Sequence, residues 1–321
     1  MGRILYLLLS GPRLTGGQKM TVRHVETLRE LGFDAACVLG AGGAPPVGLR
    51  HRAPILAGVD TRPDDILVLP EDAPNAMRQF VGRPERVVVF AQALYGLAGL
   101  GLDAYDAYPP DARPPMMVVG PEMARVVRRM YPATQVELVP CFADERLFRP
   151  AATKRYAIAC TPSKRPQEAA VVAAFLPRLH RALPPPPWIM IDGRSEAEVA
   201  AEFAASALFF SVNRAESVGI TTLEAMASGC VCAGFLGVGG LQYGTADNGF
   251  WAPDDDCVAA ADALARAAEL VRAGGAPLAA VVEAGRETSA RWSYARFRAA
   301  LEETWMRLAP DARRRDGPLD A

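Results

Sequence analysis

Lysine is almost missing from this chain of 321 residues: Lys19, Lys154 and Lys164 are the only three, and every other basic side chain is arginine. With 28 glycines, 27 prolines and abundant alanine, that bias looks like GC-rich coding, so most of the arginines carry no functional message. The three lysines stand out against it. A charge surplus is missing too. The 35 basic and 36 acidic side chains leave a net charge of −1, which argues against a protein whose main task is gripping nucleic-acid phosphates. The six cysteines (Cys37, Cys141, Cys160, Cys230, Cys232, Cys257) contain no C-x-x-C pair, so neither zinc spacing nor a dense disulfide framework is present, and small buried thiols are expected. No apolar run approaches the roughly 20 residues of a membrane span. The short apolar run near the start, Ile4-Leu-Tyr-Leu-Leu-Leu9, falls below secretory-signal length. A reduced cytoplasm is the expected compartment.

What is present supports a large core. Half the residues are hydrophobic and 22% are charged, which excludes wholesale disorder. The length suits two domains. Short apolar runs alternate with helical patterns throughout. Strands are expected at 4–9, 35–39, 66–69, 86–90, 116–119 and 135–139, with helices at 18–31 and 122–131. After an aperiodic stretch around 148–156 a second series begins. Its strands are expected at 156–160, 188–191, 207–212 and 230–234, and its helices at 167–179, 195–205, 220–228 and 256–273. This alternation predicts an α/β protein built of two doubly wound, Rossmann-like domains with parallel sheets, divided near residue 150. The second domain would run over 151–290. An amphipathic helix is expected over 291–308, and a frayed tail over 309–321. In such domains ligands bind outside the carboxyl ends of the strands, which favours a small-molecule or phosphate-bearing ligand over a pure interaction protein.

One segment carries most of the chemistry: Ala207-Leu-Phe-Phe-Ser-Val-Asn-Arg-Ala-Glu216-Ser-Val-Gly-Ile-Thr-Thr-Leu-Glu224-Ala-Met-Ala-Ser-Gly229. A buried strand ends near Val212, a polar loop carries Glu216, and a helix starts near Ile220. The backbone N–H groups of Ser217, Val218, Gly219, Ile220 and Thr221 are then unpaired donors at a helix start, a natural seat for phosphate. Glu216 and Glu224 flank that seat and can accept hydrogen bonds from sugar hydroxyls. The plainer alternative makes Glu216 the helix cap and leaves Glu224 facing solvent.

The whole stretch resembles the E-x7-E signature of retaining glycosyltransferases of family 4, with Glu216, Gly219, Glu224-Ala-Met-Ala and Gly229 in place. Gly239-Gly-Leu-Gln-Tyr243 resembles the family's glycine pair over the nucleotide sugar, with Gln242 where a glutamate is usual. Thr161-Pro-Ser-Lys164-Arg165-Pro resembles the strand-end loop whose basic residues clamp the donor diphosphate. Ser10-Gly-Pro-Arg-Leu-Thr-Gly16-Gly17-Gln-Lys19 resembles the amino-terminal glycine loop that faces the donor diphosphate or the acceptor. Val139-Pro-Cys-Phe142-Ala-Asp144 resembles the hinge before the second domain, with Phe142 in place of glycine. Gln92, in Phe90-Ala-Gln92-Ala-Leu-Tyr95, stands at a strand end where many relatives carry a histidine. His24, His51 and His180 fall elsewhere.

The resemblance implies the GT-B fold, two Rossmann-like domains facing a central cleft, with the last helix crossing back onto the first. It implies a nucleoside-diphosphate sugar as donor and transfer to a hydroxyl of a glycan, a lipid-linked acceptor or a small molecule, with retention of configuration. Glu224 would hold the ribose and Glu216 the donor sugar. Lys164, Arg165 and the helix start would stabilise the leaving diphosphate, and Gln92 would take the polar role of the histidine. No metal cofactor is expected: there is no D-x-D motif in a suitable setting, and Asp254-Asp-Asp256 reads as a helix cap. Arg125, Arg128 and Arg129 share one helix and leave open a peripheral contact with the inner face of a membrane. Two rival readings remain. One is a nucleotide-sugar epimerase of the same fold. The other is a catalytically weak sugar-nucleotide binder or scaffold, to which Phe142, Gln242 and the missing histidine point.

Overall fold

The computed structural model describes residues 2–11 and 13–309. They divide into two compact units: Phe142–Tyr294 form the second, and the described residues on either side form the first.

The first unit is built on a parallel sheet of seven strands: β1 (Ile4–Leu8), β2 (Ala35–Leu39), β3 (Ile55–Leu56), β4 (Ile66–Pro70), β5 (Arg86–Ala91), β6 (Met116–Val118) and β7 (Val136–Leu138). Their order is β3-β2-β1-β4-β5-β6-β7, so the winding reverses between β1 and β4. Central β4 is buried along its whole length, which is why it reads as an unbroken apolar run. The helix Gly16–Glu30 follows β1. It is started by a capping box in which Thr15 and Gln18 satisfy each other's backbone N–H groups.

The helix Tyr294–Leu308 closes this unit. Phe297, Leu301 and Trp305 are fully buried, each stabilising by about 2 kcal/mol through the apolar area removed from water. Trp305 Nε1–H donates to the Tyr6 hydroxyl at 3.3 Å. His24 is sealed into the same cluster. Its Nδ1 lies 3.2 Å from the Tyr6 hydroxyl, and its ring centroid lies 4.4 Å from that of Phe90 and 5.0 Å from that of Phe297. Burial pushes the imidazole down to about 3. In the unfolded chain it titrates near about 6.5. Between these values the unfolded state binds a proton that the folded state refuses, so stability falls as pH drops through that window. His24→Phe is therefore expected to gain about 2 kcal/mol on the wild type between pH 7 and pH 5 in urea unfolding, since carboxyl titrations common to both proteins cancel. A gap that does not change with pH would show that His24 is not held neutral.

The second unit carries five parallel strands: β8 (Arg155–Cys160), β9 (Trp188–Met190), β10 (Ser206–Val212), β11 (Val231–Phe235) and β12 (Phe250–Ala252). Their order is β12-β11-β10-β8-β9. The reversal here falls between β8 and β10. The helix Cys257–Ala273 packs on the sheet through Ala260, Ala261, Leu264, Ala267 and Ala268, all fully buried. Small side chains on that face let it lie close to the helix Pro166–Leu179.

The division lies nine residues before the expected one, after Cys141, because the segment up to Pro150 packs into the second unit: Phe148 meets Phe203 at 6.2 Å between centroids. Phe142 is buried against Tyr294, at 5.3 Å between ring centroids, and its backbone does not need the positive φ that would favour glycine. The last helix starts at Tyr294 rather than Arg291. Trp292 precedes it, its carbonyl accepting from Ala143 N–H at 2.9 Å. Ala309 is buried, and the rest of the expected tail lies outside the described residues.

Candidate active site

The geometry of the second unit centres on the β8–β10 switch point. Leaving β8, the chain makes a 3-10 turn at Pro162–Lys164 that carries Lys164 out into solvent. Leaving β10, it runs through Asn213 and Arg214 to Glu216. The two loops meet: Lys164 Nζ lies 3.7 Å from Glu216 Oε1, while Glu216 Oε2 accepts the Arg214 N–H at 2.5 Å. Glu216 therefore does not cap the following helix. The cap residue is Gly219, in the left-handed region at φ +75°, with no side chain bonded to the helix start. In the first turn of Ile220–Ala227 the Thr222 N–H turns back to the Gly219 carbonyl at 3.2 Å, and no side chain caps the N–H groups before it. Glu224 is 3% exposed rather than facing solvent. Neither glutamate takes the plainer role open to it.

A buried network holds this loop in shape. Asn213 Nδ2 donates to the Thr222 hydroxyl at 3.0 Å, and the Tyr243 hydroxyl donates to the Gly219 carbonyl at 2.9 Å. A Cβ at Gly219 would stand 2.4 Å from Asn213 Nδ2, so both the backbone and the space demand glycine. Gly239 lies under the loop so closely that a Cβ there would reach 2.5 Å from the Glu216 carbonyl oxygen. Gln242 Nε2 donates to the Ser217 carbonyl at 2.7 Å and the Gly239 carbonyl at 3.1 Å. A glutamate would bring acceptors to two acceptors, so the amide suits this position.

Arg165 is placed differently from its neighbour. Its side chain is 1% exposed. Nε donates to the Asn213 carbonyl at 2.9 Å, Nη2 reaches Asp254 at 2.9 Å, Nη1 pairs with Asp255, and the guanidinium lies 4.7 Å over the Phe235 ring. Asp255 is the one non-glycine residue with positive φ among those described. Asp256 caps the next helix, accepting the Ala259 N–H at 2.9 Å. Arg214 is the second exposed cation at this switch point, with carboxylates no nearer than Glu168 at 3.7 Å and Asp255 at 4.0 Å. Sequence reasoning missed it because one arginine in an arginine-rich chain gives no signal. Lys154, another of the rare lysines, closes the end of the helix Glu196–Ala205, donating to the carbonyls of Phe203 and Ser206 at 2.9 and 2.8 Å.

In the first unit, Gly16 and Gly17 open the helix after β1, and Gln92 follows β5. The structure brings them together: Gln92 Nε2 donates to the Gly17 carbonyl and the Thr21 hydroxyl, both at 3.3 Å. Glu71, after β4, was not anticipated. It accepts the Ala93 N–H at 2.6 Å.

No protein-family model matches the chain. It is 24% identical to the alpha-1,6-glucosyltransferase of Actinobacillus pleuropneumoniae serotype 7 (strain AP76) over 239 residues, 70% of this chain and 69% of that protein. Among solved structures it resembles Alr3699/HepE of Anabaena in complex with UDP-glucose, with a TM-score of 0.71 at 12% identity over 95% of this chain and 99% of that one. It also resembles the sucrose-phosphate synthase of Thermosynechococcus elongatus, with a TM-score of 0.67 at 15% identity over 97% and 100%. The fold is GT-B, two Rossmann-like α/β units with parallel sheets.

Proposed function

We propose that this protein is a glycosyltransferase that moves a sugar from a UDP-sugar to an acceptor hydroxyl, with retention of configuration and without a metal. The observation that carries the reading is the meeting of Lys164 and Glu216 at the switch point of the second unit, directly before the uncapped helix Ile220–Ala227. A diphosphate there gains N–H donors, the positive end of a helix and an ammonium group. Glu224, one turn into the helix, holds the ribose, and Glu216 holds the donor sugar. The relative above is named for glucosyl transfer, and Alr3699/HepE was solved with UDP-glucose. Both favour a UDP-hexose donor.

The chemistry asks little covalent work of the protein. The bond from the anomeric carbon to the diphosphate oxygen breaks, the acceptor oxygen bonds to the same face, and the acceptor's proton leaves with the diphosphate. Charge builds on the leaving oxygens, where Lys164 and the helix start lower the barrier. Asp254 and Asp255 are engaged by Arg165 and Asp256 by its cap, so that acidic run suits structure better than a metal. Gln92 serves the acceptor side. The acceptor is a hydroxyl of a glycan, a lipid-linked saccharide or a small molecule. Arg125 and Arg128 speak little for a membrane contact: Arg125 bonds Glu122 at 2.8 Å and Arg128 the Val136 carbonyl at 3.1 Å.

UDP release from UDP-glucose, tested over a panel of acceptors and in the presence of a chelator, examines the reading, and the anomeric configuration of the product examines retention. A protein that binds UDP but never releases it from a UDP-sugar would favour the silent binder. Lys164→Ala is expected to weaken UDP binding about tenfold in calorimetry with an unchanged melting temperature, because an ammonium 62% exposed makes little contribution to the fold. Unchanged affinity would remove Lys164 from the site.

A further inference from the structure

We infer that Glu71 is a positioning residue: its carboxylate fixes the turn that carries Gln92, and a proton on it loosens that hold. The inference rests on the reading of Gln92 as the acceptor-side polar group.

A carboxylate at the end of a fully buried strand has no obvious structural purpose, since burying it costs several kcal/mol unless it is satisfied. Glu71 is 4% exposed. One oxygen accepts the Ala93 N–H at 2.6 Å, the short distance of a charge-assisted bond, while Oε2 is buried with no hydrogen-bond partner among the described residues. The following turn is moulded onto this residue. A Cβ at Gly96 would stand 3.4 Å from Glu71 Oε1, and one at Gly101 would stand 2.5 Å from the Glu71 carbonyl oxygen. Leu97–Gly101 is a π-helical turn, a feature that often marks functional sites.

Gln92 lies one peptide before the N–H that Glu71 holds, and its amide reaches Gly17 and Thr21. The ends of β4 and β5 and the start of the helix after β1 are thereby tied at the reversal point of the first sheet. Burial, with a smaller push from Asp72, moves the carboxyl up to about 7 against the backbone N–H groups of Gln92 and Ala93. From Ala93 to Leu102 the turn brings no charged side chain, and its only titratable group is the exposed Tyr95. Above neutrality Glu71 is ionised and holds the turn. Below it, the neutral acid is a weaker acceptor for that N–H.

The test uses the full chain. The carboxyl carbon of Glu71 and the side-chain amide of Gln92 are followed by NMR across the neutral range, beside UDP release from UDP-glucose and UDP affinity. The two signals are expected to titrate together, and the Gln92 response is expected to vanish in Glu71→Gln. The release rate should fall on the acid side in the wild type. In Glu71→Gln it should be flat and about tenfold below the wild type's alkaline value. UDP affinity should stay the same, because Lys164, Glu216, Glu224 and the helix start that hold the donor in the proposed reading lie in the other unit. Glu71→Leu, which fills the space without accepting a bond, should shift the Gln92 signal at every pH. Combining Glu71→Gln with Gln92→Ala should cost no more than Gln92→Ala alone. A Gln92 signal indifferent to Glu71→Gln and Glu71→Leu overturns the inference even with full turnover, as does an additive double variant. If no protein releases UDP, the transfer reading falls, and the coupling in the spectra alone decides the role of Glu71.

Discussion

Replacing Glu216 by alanine is expected to slow sugar transfer by at least about 100-fold while leaving the protein folded. The carboxylate stands where the loops after β8 and β10 meet, 3.7 Å from Lys164, on a loop held from below by Gly239, Gln242 and Tyr243. None of those supports passes through its side chain. What the side chain contributes to stability is one bond from the Arg214 N–H and a long, solvent-facing ion pair, together about 1 kcal/mol. Circular dichroism and the melting temperature should therefore stay near those of the wild type. Glu216→Gln separates the two functions of the group, because an amide oxygen can still accept the Arg214 N–H but bonds a sugar hydroxyl more weakly than a carboxylate and cannot pair with Lys164. If the carboxylate acts on the donor, Gln should rescue the loop and not the rate. UDP release at wild-type speed in Glu216→Ala would remove the residue from the reaction, whatever the fate of the donor assignment.

The parts of the fold that were legible in the sequence are those where burial is apolar. β10 is buried from Ser206 to Val212, and its Ala207-Leu-Phe-Phe210 reads as an apolar run. Phe297, Leu301 and Trp305 repeat at helical spacing. The helix Gly275–Ala290 escaped notice because the residues it buries are Gly285, Thr288 and Ser289, which give no apolar period. The turn after Gln92 escaped for a related reason: Gly96, Gly99 and Gly101 look like loop, yet Gly101 is what lets it pack on Glu71. Near the switch point, Gly219 could be read directly because its left-handed backbone is a reason that needs no partner. Glu71 could not. A Glu-Asp pair after a strand looks like a solvated turn, and only the fold shows it turned inward. The same blindness separates Lys164 from Arg165, adjacent basic residues with opposite surroundings.

Arg165→Ala is accordingly expected to act on the fold before it acts on the donor. Its guanidinium is 1% exposed and supports the site from behind, bonding the Asn213 carbonyl and Asp254 and pairing with Asp255 over the Phe235 ring. Alanine would leave a cavity beneath the loops after β8 and β10. It would also strip the counter-charge from carboxylates gathered at the start of the helix Cys257–Ala273. Asp254 and Asp255 are half exposed or more, so solvent relieves part of the loss, and the expected cost is about 3 kcal/mol. For a unit the size of the second one this is a fall of roughly 10 °C in melting temperature. Arg165→Lys should recover little of it, because one ammonium cannot serve a carbonyl and two carboxylates in a planar fork while stacking on a ring. Lys164→Ala provides the contrast, with melting unchanged and UDP affinity reduced. Calorimetric melting and UDP titration of the two alanine variants side by side decide the matter. Should Arg165→Ala melt like the wild type and lose UDP binding, Arg165 would be a donor ligand after all, and the pairing with Asp254 and Asp255 would be a resting arrangement that the diphosphate displaces.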